Sequence, residues 1–89
     1  MNKMKRRELA KISDRLSEAR DMLSYIKSDL ECVLSDEEDT LDNMESFFGT
    51  DRYAAMEEAI SNMGDAVDSL EEAVDEIDNA INFIDSAKN

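Results

Sequence analysis

Carboxylates are the side chains with the most chemistry to offer here: Asp and Glu make up 23 of the 89 residues, against 10 Lys or Arg and no histidine. The densest cluster is SDEEDTLD, residues 35–42. A calcium loop of the EF-hand type needs oxygen ligands at alternating positions and a glycine for its sharp turn. This run has no glycine, and helical phase would spread its acids around the axis. Glu72 with Asp75, and Asp39 with Asp42, have the three-residue spacing by which facing helices hold divalent metals. Di-iron sites of that class use Glu-x-x-His, and magnesium chemistry on nucleotides would need acids pointing inward from both helices. The inward positions of the second helix are all apolar (below), so no metal and no cofactor is expected.

Other reactive groups are scarce. Cys32 is the only cysteine, so no disulfide forms within the chain. A lone thiol of this kind reads as a small, partly buried apolar residue in a reducing compartment. Without histidine, Ser, Thr and Cys lack the commonest base that would activate them. There is no glycine-rich phosphate loop. The chain is expected not to be an enzyme.

Charge is unevenly placed. Residues 1–27 hold eight basic and four acidic side chains, whereas residues 28–89 hold two basic and nineteen acidic ones, for a net charge of −13. The basic run Lys3, Lys5, Arg6, Arg7 and Lys11 has no interleaved aromatics. It reads as charge pairing within a helical bundle rather than direct nucleic-acid binding. It also leads into an amphipathic pattern rather than the apolar block of a secretory signal. No segment reaches the roughly 18 apolar residues of a membrane span. A cytoplasmic location without membrane contact is expected.

The elements that place these residues follow from periodicity. Tyr53, Met56, Ile60, Met63, Val67, Leu70, Val74, Ile77, Ile81 and Ile84 alternate spacings of three and four without a miss. That is the heptad signature of a packed helix, with Tyr53 at position a and Met56 at d. The first helix shows the same spacing at Leu9, Ile12, Leu16, Ala19, Leu23, Ile26, Leu30 and Val33. Glu37 and Thr40 then fall on the expected core positions, with Leu34, Leu41 and Phe48 one step round, which predicts a stutter in the seam. Between the helices lies FFGTDRY, where Gly49 can end one helix and Thr50 can cap the next, with Asp51 in its first turn.

The fold class predicted is all-α: a single domain over 1–89, an antiparallel, coiled-coil-like two-helix hairpin. Helix 1 is placed at about 3–47, the turn at 48–50 and helix 2 at about 51–87. Folding back near residue 50 pairs Leu16 with Ile84, Leu23 with Ile77, Leu30 with Leu70 and Phe47 with Tyr53. The same register brings Arg20 near Asp78, Lys27 near Glu71 and Leu34 opposite Gly64, a packing reason for a glycine that otherwise is merely tolerated. Ala59, Ala66, Ala73, Ala80 and Ala87 recur at every g position of helix 2, facing Met22, Asp29 and Asp36. These alanines are the candidate self-association residues, and they predict a homodimer with four helices.

What remains is a surface argument. Asp36, Glu37, Glu38, Asp39, Asp42 and Glu45, with Glu57 and Glu58, gather near the turn beside one basic residue, Arg52. Paired helices studded with carboxylates can imitate the charge of a nucleic-acid backbone and occupy a basic groove on another protein. These eight are the candidate partner-binding residues. Phe83, off the heptad seam, is a candidate docking anchor.

The run SFFGTDRYAAMEEAISNMGDAVDSLEEAVDEIDNAI resembles small acidic two-helix proteins of Gram-positive gut bacteria and their phages, over about residues 40–82. The shared features are a short polar turn, the RY pair and tandem alanine–aliphatic–acid heptads. The resemblance implies a phage or mobile-element origin, in which small acidic proteins act as inhibitors of host systems, and assigns no activity to named residues. The function expected is therefore a non-enzymatic interaction module that binds a basic host protein through an acidic helical face. The alternative is a structural or assembly protein whose hairpin self-associates, its acidic face serving solubility.

Overall fold

A chain with no proline and two glycines has few ways to interrupt a helix. The computed structural model describes residues 1–44 and 51–89 and places two long helices there, α1 (Lys3–Asp42) and α2 (Asp51–Lys88). Asn2 caps α1: its side-chain oxygen accepts the Lys5 amide at 2.8 Å, satisfying one of the orphan donors of the first turn. At the other end Asn43 donates its amide to the Asp39 carbonyl, and the Met44 amide reaches the Leu41 carbonyl at 3.0 Å. α1 thus ends at Asp42 rather than near 47. The turn expected at 48–50, with Phe47, Phe48, Gly49 and Thr50, lies outside the described residues, as does Glu45. Asp51 sits in the first turn of α2 and Lys88 in its last, each favourable to the helix dipole.

The two helices pack against each other along a rod of 68 × 14 × 13 Å. Three contacts set the register: Arg20 Nη1 to Asp78 Oδ1 at 2.8 Å, Lys27 Nζ to Glu71 Oε1 at 3.7 Å, and Ser13 Oγ to Asp85 Oδ1 at 3.3 Å. In each pair the residue numbers sum to 98, and both ion pairs are those anticipated from the heptads.

On α2 every a and d residue from Tyr53 to Ile84 is half-buried, as its spacing requires. On α1 the seam differs from expectation. Leu9, Leu16, Leu23 and Leu30 lie in it, but Ile12, Ile26 and Val33 are 44%, 46% and 51% exposed, and Ala19 is exposed too. Ser13, Arg20, Lys27 and Leu34 take their places. Glu37, Leu41 and Met44 continue the same three-four spacing, so the seam runs straight and no stutter occurs. The reason is that Arg and Lys carry apolar stems that can cover a seam while their heads reach its edge. The stripe through Arg20 and Lys27 meets Asp78 and Glu71, and it keeps Leu34, Leu41 and Met44 in line.

Two helices cannot enclose a core. Among the described residues Met44, at 8% exposure, is the one buried apolar side chain, and Ser13 the one buried polar one. The radius of gyration is 19.9 Å, where a compact domain of this length would have about 12 Å. No helix among the described residues is long and apolar enough to cross a membrane.

Candidate functional site

The acidic cluster occupies the turn-proximal ends of both helices. Asp36, Glu37, Glu38, Asp39 and Asp42 stand on the last two turns of α1, and Glu57 and Glu58 on the second turn of α2. All are exposed except Glu37, which is half-buried in the seam. Locally the segment is held by Thr40, whose hydroxyl donates to the Asp36 carbonyl at 2.9 Å. Among the described residues no ion pair reaches any of these seven carboxylates.

The terminal half of the rod is arranged otherwise. Arg20 bridges Asp78 on α2 and its neighbour Asp21, and Lys88 pairs with Asp85 at 3.1 Å, while just past the midpoint toward the turn Lys27 lies between Glu71 and Glu31. The hydrogen bond to Asp78, more than that to Asp21, raises the Arg20 pKa against a smaller opposing cost of desolvation. Charges in this half balance to zero over residues 1–24 and 74–89; those at the turn do not.

Helix polarity sharpens the contrast. α1 has no acidic residue in its first turn and no basic residue in its last. Instead Lys3, Lys5 and Arg6 stand at its N-terminus and Asp39 and Asp42 at its C-terminus. Both groups oppose the macrodipole, each charge costing about 0.3–1 kcal/mol at an exposed position. Hairpin stability therefore does not explain where they are.

Among the described residues no group of acids or cysteine is gathered closely enough to hold a metal ion. Cys32 is exposed rather than partly buried as expected. A depression of about 300 Å³ is lined by Ile12, Arg15 and Leu16, and one of about 240 Å³ by residues including Ser24, Lys27, Glu31 and Glu71. In the second, no hydrogen bond joins Ser24 or Ser28 to the neighbouring carboxylates.

Of the five candidate self-association residues, Ala73 and Ala80 are half-buried, while Ala59, Ala66 and Ala87 are exposed. Their surroundings differ from expectation. Ser13, Arg20 and Lys27 meet Asp85, Asp78 and Glu71 along one edge of the hairpin. One residue back on α1 and two forward on α2, at about 100° per residue, lies the opposite edge. Ala66, Ala73, Ala80 and Ala87 therefore line that edge with Val33, Ile26, Ala19 and Ile12, rather than with Met22, Asp29 and Asp36. Phe83 is 77% exposed, one turn from Ala80 and Ala87.

Sequence reasoning missed the α1 half of this apolar edge. The signal is a second apolar stripe beside the leucines, which hydropathy alone places in the interior. The chain matches no protein-family model, and no curated protein or solved structure is similar to it.

Proposed function

We propose that the chain is a non-enzymatic, cytoplasmic protein-interaction module. Its hairpin pairs with a second copy into a four-helix bundle and presents the acidic turn end to a basic surface of another protein. The phage or mobile-element setting implied by the resemblance makes inhibition of a host protein, one that handles nucleic acid, the natural role for such a surface. The observation that carries this reading is the imbalance along the rod. Residues 1–24 and 74–89 balance to zero net charge, with Arg20 and Lys88 in ion pairs, whereas seven carboxylates at the turn stand unpaired among the described residues, partly against the dipole of their own helix. Unmatched charge of one sign on a narrow rod steers a basic partner and sets its docking register.

The test is affinity capture on the immobilised wild-type chain and on a variant carrying Asp36→Asn, Glu38→Gln, Asp39→Asn and Asp42→Asn. A basic protein should be retained at low salt, released at about 1 M salt, where the Debye length falls to about 3 Å, and lost from the variant. Recovery of no protein, or equal retention by the variant, contradicts the reading.

The exposed Ile12, Ile26 and Val33 favour a second reading, in which self-association is the whole function and the acids serve solubility. That reading expects an assembly that persists at high salt and captures nothing else.

A further inference from the structure

We infer that the second copy docks on the apolar edge opposite the ion pairs, with the two hairpins antiparallel, so that α1 lies against α1 and α2 against α2. The inference rests on the reading of the chain as a self-associating hairpin and specifies its face and sense.

The edge is continuous. Ile12, Ala19, Ile26 and Val33 on α1 run beside Ala87, Ala80, Ala73 and Ala66 on α2. The three larger side chains are 44–51% exposed. A folded monomer of this mass exposes about 5,300 Å², and this hairpin exposes 6659 Å². One long face of a rod 68 Å by 14 Å offers each copy about 900 Å², the area of a standard stable interface.

The edge is also symmetric. The midpoint of Lys3–Asp42 falls between Met22 and Leu23. Turning the hairpin end for end about that level exchanges Ile12 with Val33 and Ala19 with Ile26. The same operation exchanges Ala87 with Ala66 and Ala80 with Ala73. A face that maps onto itself is what an isologous two-fold interface requires. The α2 alanines permit close approach of the two acidic helices, and Met22, 64% exposed, sits on the rim at the axis.

Charge selects the sense. Residues 1–24 carry +3 and residues 74–89 carry −3, so the terminal half is neutral and residues 25–73 hold the full −13. A parallel pair would set each isoleucine over an alanine but stack one −13 half on the other. The antiparallel pair separates these halves. It also brings Lys3, Lys5, Arg6 and Arg7 level with the second copy's α1 at 38–42, a stretch holding three acids, and Arg15 within a residue of level with the second copy's Asp29. The basic start of α1 thereby lies beside the acidic end of the second copy's α1 rather than beside its own kind.

Light scattering across a dilution series, with circular dichroism to confirm helicity, tests this on the wild-type chain, Ile26→Glu, Tyr25→Glu, Arg15→Glu, Asp29→Arg and the Arg15→Glu/Asp29→Arg double variant. Wild type should have twice the mass of the 10.1 kDa chain. Ile26→Glu should be monomeric, and Tyr25→Glu, on the outward side of α1, dimeric. Each single charge reversal should raise the dimer dissociation constant about tenfold, and the double variant should recover most of it. A wild-type monomer overturns the self-association reading itself. A wild-type dimer that tolerates Ile26→Glu overturns the face, and a double variant no better than the singles overturns the antiparallel sense. The charge-reversal set decides the matter even where Ile26→Glu loses its helicity.

Discussion

At the scale of single residues, Gly64 shows where sequence and structure part. The register placed Leu34 opposite it and suggested close packing, yet a Cβ at Gly64 would meet nothing within 4 Å. The glycine is tolerated rather than required. Gly64→Ala should therefore stabilise the hairpin by about 1 kcal/mol, seen as a rise of several degrees in the melting temperature; a fall would mean a close approach exists at that site. Arg20 was legible because its partner lies at the heptad-matched level on the facing helix. Its raised pKa follows first from the hydrogen bond to Asp78. A base raised in this way contributes stability that is complete below its unfolded pKa and is lost only as pH climbs through the folded one. For an arginine that window lies far into alkali, so Arg20→Met should lower the melting temperature by the same amount at pH about 7 and about 9. A difference that fades between them would contradict the assignment.

At the scale of elements, the second helix was legible in full because a single apolar stripe runs its length and no basic side chain competes for it. The first helix carries two stripes flanking the same leucines, and hydropathy prefers the wrong one. It counts Arg20 and Lys27 as polar, although their stems can cover the seam and their heads reach carboxylates on α2. The consequence is measurable at dilutions where the chain is monomeric. Leu23→Ala removes a seam residue and should cost about 1–2 kcal/mol, whereas Ile26→Ala should cost about 0.5 kcal/mol or less. Equal losses would restore Ile26 to the seam. The end of α1 carries a further expectation. Asp39→Asn with Asp42→Asn relieves charge that opposes the dipole and should stabilise the isolated hairpin by about 0.5–2 kcal/mol in thermal or urea melts. Destabilisation would mean those carboxylates are held by contacts within the hairpin.

At the scale of the whole molecule, composition announced an acidic chain, while the hairpin geometry divides it into a half of zero net charge and a half that carries the full −13. The candidate partner-binding acids were legible as a cluster in sequence. Their lack of ion-pair partners among the described residues was not, because it depends on where the cations of α1 are spent. Self-repulsion of the −13 half should make stability rise with salt between about 0.01 and 0.15 M, as the Debye length falls from about 30 to about 8 Å; a monotonic fall would place net attraction, not repulsion, in control. The hairpin has one buried apolar side chain among its described residues and a bare apolar edge, which the proposed dimer would cover. Sedimentation equilibrium on the wild-type chain at micromolar concentration and physiological salt tests that most directly. The account predicts a mass of two 10.1 kDa chains that dissociates on dilution; a single chain's mass at every concentration, with helicity intact, would contradict it.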